Sequence, residues 1–86
     1  MTFTVTPEPD VEQRLRKLAK KDPVRFEQIE KKLRELSNNP EIGKPLKNPL
    51  KGSRRLDIGH YVLIYKIDTK NQAIVLTDYT HHDEVY

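Results

Sequence analysis

The chain has 86 residues, no cysteine, 34% charged residues and a formal net charge of +3. That length bounds the answer to one domain, taken as residues 1–86, which buries roughly 60 to 65% of its unfolded surface. Disulfides and thiolate metal sites are excluded, and no apolar run approaches the ~20 residues that a membrane-spanning helix needs.

Residues 1–15 contain Pro7, Pro9 and several charges, so no apolar signal region is expected and a cytoplasmic protein is the default. The segment Thr2–Thr6 alternates polar and apolar residues and predicts a short strand with Phe3 and Val5 inward. Pro7 and Pro9 end it, because proline has no N–H for a ladder bond.

Asp10 is the expected cap of a first helix, in which Val11, Leu15, Leu18 and Ala19 recur at helical spacing opposite Arg14, Arg16, Lys17, Lys20 and Lys21. Asp22-Pro23 is a second start signal, with aspartate as N-cap and proline at the first helical position. Phe26, Ile29, Leu33 and Leu36 form the apolar stripe of that second helix. Glu27 with Lys31 and Glu30 with Arg34 are expected to pair across one turn. Asn38-Asn39-Pro40 stops it.

The following loop, Glu41–Gly52, has two prolines and two glycines and is expected to be irregular. From Gly43 to Arg55 the chain holds Lys44, Lys47, Lys51, Arg54 and Arg55 with no acid, a pattern that suits a polyanionic partner. Strands are expected over Arg54–Ile58, Tyr61–Ile67 and Ala73–Tyr79, with turns at Ile58–His60 and Asp68–Asn71, and a tail from Thr80 to Tyr86. The predicted order is β-αα-βββ: an α+β fold with a helical hairpin on one face of a mainly antiparallel sheet of about four strands.

Strand parity groups Leu63 with Tyr65, expected against the helices, and Val62 with Ile64, expected to leave an apolar strip on the other face. The same parity sets Ile74, Leu76 and Asp78 opposite Val75, Thr77 and Tyr79.

The element order, the NNP followed by a basic loop, the segment RRLDIGHYVLIYKID and the ending THHDEVY resemble the RelE/ParE toxin superfamily of toxin–antitoxin modules. Arg55, Leu56, Gly59, Tyr61, Leu63, Ile64, Tyr65, His81, Val85 and Tyr86 fall in register with the superfamily's usual text. The resemblance implies a RelE-like fold. It also implies a ribosome-dependent messenger-RNA endoribonuclease that needs no metal or other cofactor. A RelB-like antitoxin would be its partner in a heteromeric complex. In the ParE branch it implies instead a non-catalytic gyrase binder. Three positions depart from the cations usual there: Val62, Asp57 and His82.

RNA cleavage by 2′-hydroxyl attack needs a base, an acid and cations around the phosphorane. The candidates are His81 and His82 for proton transfer, Arg55 for charge and Tyr86 for stacking or proton donation. Lys44, Lys47, Lys51, Arg54 and His60 are the candidate RNA contacts. Adjacent histidines on an extended segment point to opposite sides, so His81-His82 is a poor metal pair and no metal site is expected.

Overall fold

The structure is a computed structural model that describes residues 2–48 and 50–81. Its strands are β1 (Thr4–Pro7), β2 (Lys44–Pro45), β3 (Ser53–Ile58), β4 (Tyr61–Asp68) and β5 (Ala73–His81). Between β1 and β2 lie helices α1 (Pro9–Lys21) and α2 (Pro23–Asn38) and a 3₁₀ turn, Pro40–Ile42. The sheet runs in the order β1-β5-β4-β3-β2, with β1 parallel to β5 and the other pairs antiparallel. The expected α+β architecture of two helices on a sheet is therefore present. The sheet has five strands because the basic loop contributes the two-residue β2, which pairs Lys44 with Arg55 and Pro45 with Arg54.

Helix α1 starts one residue before the expected cap. Glu8 is its N-cap and Pro9 its first helical residue, and no side chain caps the turn; a proline there gives up an N–H that has no intrahelical partner in any case. Helix α2 starts as its sequence predicts, with the Arg25 N–H donating to Asp22 Oδ1 at 3.1 Å. The ion pairs on the helices are Asp10–Arg14, Glu12–Arg16, Asp22–Arg25 and Lys32–Glu35. The expected pairs Glu27–Lys31 and Glu30–Arg34 are not among those formed by the described residues.

Val11, Leu15, Ile29 and Leu36 from the helices meet Leu56, Ile58, Leu63, Tyr65, Ile74, Leu76 and Tyr79 from the sheet. Phe26 and Leu33 are partly buried against this core. The expected facing of Leu63 and Tyr65 is thus observed. Tyr79 is a correction. Tyr65 pairs with Leu76 and Ile64 with Asp78, which leaves Thr77 as the extra residue of a bulge. One added residue inverts the parity beyond it, so Tyr79 joins Leu76 on the helix face and Asp78 turns to the other, outer face. The Thr77 hydroxyl donates to the Ile64 carbonyl at 3.2 Å within this bulge.

The apolar strip expected on the outer face is also corrected. Val62 and Ile64 are 0% and 5% exposed. Asp57 and Thr80 flank Val62 across the strands, and Arg55 and Asp78 flank Ile64.

Candidate functional site

The basic loop is rooted in the core. The Tyr65 hydroxyl accepts a hydrogen bond from the Gly43 N–H at 2.9 Å and donates to the Pro40 carbonyl at 2.6 Å. Burial raises the Tyr65 pKa above the usual tyrosine value, an effect that the Gly43 N–H and the Arg54 charge oppose. Arg54 Nη1 donates to the Gly43 carbonyl at 2.8 Å and to the Glu41 carbonyl at 3.3 Å. Gly43 packs so tightly here that a β-carbon would lie 2.5 Å from Tyr65 Oη and 2.7 Å from the Arg55 carbonyl. Turns at Lys47–Leu50 and Leu50–Ser53 then bring the chain back into β3.

Beyond that root, Lys44, Lys47 and Lys51 are exposed and form no ion pair among the described residues. Lys44 stands directly opposite Arg55, and cross-strand partners share a face. Row by row, the outer face therefore presents Lys44, Arg55, Ile64 and Asp78, then Asp57, Val62 and Thr80, with Lys66 beside Ser53. The Arg55 side chain is only 12% exposed and donates to Asp57 Oδ1 at 2.6 Å. Asp78 is held at 2.9 Å by Arg14, whose Nη1 also donates to the Tyr79 carbonyl at 2.9 Å.

His81 lies elsewhere. It pairs with Tyr61 at the far end of β4, and its ring meets Tyr61 edge-on at 5.3 Å. His60, exposed in the turn after Gly59, stacks on His81 at 6.5 Å. The Gly59 φ of 62° explains the glycine there, since other residues rarely adopt it. Tyr61 also stacks on Tyr79 at 5.1 Å and carries the Arg25 guanidinium 4.5 Å from its ring centre. Burial raises the Tyr79 pKa, an effect that the nearby Arg25 guanidinium opposes.

The candidate residues therefore fall into two groups. Lys44 and Arg55 share the outer face next to Lys47 and Lys51, whereas Arg54 points to the helix side and is engaged by the loop root. His60 and His81 sit together at the end of the sheet; Tyr61, which pairs with His81, faces the helices, opposite to Arg55. His82 and Tyr86 lie outside the described residues. Sequence reasoning gave Arg14, Arg25 and Lys66 no part in the site. Lys66 was legible from its shared parity with Ile64, but nothing local connects Arg14 to Asp78 across 64 positions.

Residues 5–86 match the family described as the ParE toxin of the type II toxin–antitoxin system parDE. The chain belongs to this toxin family. A putative toxin RelE4 of Methanocaldococcus jannaschii is 34% identical over 79 residues, which cover 91% of this chain and 84% of that protein. The toxin–antitoxin complex RelBE2 of Mycobacterium tuberculosis contains a chain of 28% identity and TM-score 0.81, with 94% of this chain and 99% of that one covered. In the archaeal RelE–RelB complex from Pyrococcus horikoshii the corresponding values are 20% and 0.74, covering 99% and 100%; this likeness shows the fold. Among the described residues no helix is long and apolar enough to cross a membrane.

Proposed function

We propose that this toxin-family chain is RelE-like: an endoribonuclease that cuts messenger RNA on the ribosome in the cytoplasm, without a metal, and is neutralised by a RelB-like antitoxin in a heteromeric complex. The observation that carries the reading is the juxtaposition of Lys44 with Arg55 on the outer face, beside the exposed Lys47 and Lys51. Cations so placed suit a phosphodiester backbone, and a guanidinium positioned in advance suits the charge of a phosphorane. The similarity to a putative RelE4 toxin and to the chain of the RelBE2 complex supports the RelE branch and the antitoxin partner.

In this mechanism a base removes the 2′-hydroxyl proton, the oxyanion attacks phosphorus and the 5′-oxygen leaves with a proton. Arg55 stabilises the phosphorane, and Lys44, Lys47 and Lys51 hold the flanking phosphates. Proton transfer falls to His82, with His81 as the neighbouring alternative, and Tyr86 stacks on a base. His60 extends the RNA contact from the end of the sheet. Arg54 serves indirectly, by anchoring the loop that bears the lysines.

A second reading, a non-catalytic ParE-like binder of gyrase or of an antitoxin alone, is favoured by Asp57. Its carboxylate occupies the Arg55 guanidinium, and Val62 beside it adds no cation. Mapping cleavage of a reporter message on purified ribosomes, with a gyrase supercoiling assay in parallel, decides between them. Cleavage without gyrase inhibition supports the RelE-like reading; gyrase inhibition without cleavage replaces it.

A further inference from the structure

The loop and the outer face do not account for the positive charge of the helical layer. From Gln13 to Lys21, α1 carries Arg14, Arg16, Lys17, Lys20 and Lys21 and no acid. The acids that flank this stretch are already engaged by arginines. Glu12 holds Arg16 at 3.1 Å, Asp10 and Asp78 hold Arg14 at 3.9 and 2.9 Å, and Asp22 holds Arg25 at 3.5 Å. Lys17, Lys20 and Lys21 are exposed and pair with no acid among the described residues.

Their spacing places these three lysines on one side of the helix, opposite the stripe of Val11, Leu15 and Leu18 that faces the core. Lys17 and Lys21 are one turn apart, about 6 Å along the axis. Helix α1 packs on β5 and β1, whereas the basic loop enters β2 at the other edge of the sheet. Three strand spacings, about 14 Å, separate β5 from β2. The molecule therefore carries two separate cationic surfaces.

We propose that the Lys17–Lys20–Lys21 face is a docking surface for the backbone of double-stranded RNA; the choice of RNA rests on the ribonuclease reading above. The exposed neighbours of the three lysines on this helix are Gln13, Arg14 and Arg16, and α1 has no aromatic residue. A single strand is held largely by stacking its bases on aromatic rings, and this face offers none. A duplex presents phosphates with its bases already stacked, and is recognised through backbone and shape. The face thus anchors the protein on structured RNA while the loop and outer face, at the other sheet edge, hold the strand to be cut.

The experiment is fluorescence anisotropy of the full chain with an RNA duplex of about 20 base pairs and an unstructured oligonucleotide of the same length, across a salt series. The two variants are Lys17→Gln/Lys20→Gln/Lys21→Gln and Lys44→Gln/Lys47→Gln/Lys51→Gln, each checked for parental circular dichroism. The helix variant is expected to lose duplex affinity at least about tenfold and to lower the slope of log K against log salt by about two to three, the counterion release of three phosphate contacts. Its single-strand affinity stays parental, and the loop variant shows the reverse pattern. Parental duplex affinity and slope in the helix variant overturn the proposal, as does a parent that ignores the duplex and uses these lysines only on anionic lipid vesicles. A parent that binds the duplex through α1 but leaves ribosome-bound message intact keeps this inference and removes the nuclease reading, so the two failures are distinct.

Discussion

The Tyr65 hydroxyl and the Gly43 N–H, 22 residues apart in sequence and 2.9 Å apart in space, tie the basic loop to the centre of the sheet. Tyr65 is fully buried, so its hydroxyl needs these partners as much as the loop root needs it. Tyr65→Phe keeps the ring and strands the Gly43 N–H and the Pro40 carbonyl. The expected cost is about 1–3 kcal/mol, read as a lower urea midpoint at unchanged m-value.

Gly43→Ala tests the same junction by steric means. The new methyl meets the Arg55 carbonyl at 2.7 Å, and backbone cannot turn aside as a side-chain tip can. Overpacking of this kind costs about 1–3 kcal/mol. The variant is also expected to shift the amide signals of Lys44 and Arg55 in an NMR spectrum, because β2 must move away from β3.

Alkaline stability follows from the two buried tyrosines. Burial raises the pKa of Tyr65 and Tyr79 above 10.0 in the folded chain. The folded state therefore keeps its phenolic protons to higher pH than the unfolded state does. The stabilisation is fully present below the ordinary tyrosine pKa and is lost as pH rises through the raised values. Thermal midpoints measured from pH 8 upward should fall above about pH 10, and less steeply in Tyr65→Phe. A midpoint that stays level through that range contradicts the assignment.

Asp22 joins the two helices by capping α2 and pairing with Arg25, which in turn lies over Tyr61. Asp22→Ala removes the cap and is expected to cost about 0.5–2 kcal/mol. Because Arg25 loses its anchor as well, the near-UV circular dichroism of Tyr61 and Tyr79 should change. Asp22→Asn, which can still accept the Arg25 N–H bond, should recover most of the loss.

Two substitutions test the proposed chemistry. Arg55→Gln is expected to lower single-turnover cleavage of ribosome-bound message about 10²- to 10³-fold, the usual effect of losing one preorganised charge stabiliser. His82→Ala is expected to lower it about 10²- to 10⁴-fold. Cleavage by His82→Ala at the parental rate transfers the proton-donor role to His81.

The elements were legible in the sequence where a local signal has a local cause. Asp22-Pro23 starts a helix because the carboxylate caps it and proline needs no N–H bond, and Asn39-Pro40 ends it for the converse reason. The apolar stripes of α1 and α2 named most of the helical half of the core. The basic loop could be read as a cationic segment, since charge is additive along the chain.

The order of elements, the amphipathic faces and the toxin-family pattern are thus local properties of the chain. The tertiary structure decided the faces and partners that depend on register. Thr77 makes a bulge that turns Tyr79 inward and Asp78 outward, and in a run of Thr77, Asp78, Tyr79 and Thr80 no residue type marks the extra position. It also decided that Arg54 clasps the loop root while its neighbour Arg55 joins Lys44 on the opposite face. Adjacent residues on a strand point to opposite sides, so two arginines that are equivalent as charge become a structural clasp and a candidate catalytic cation once the sheet is formed.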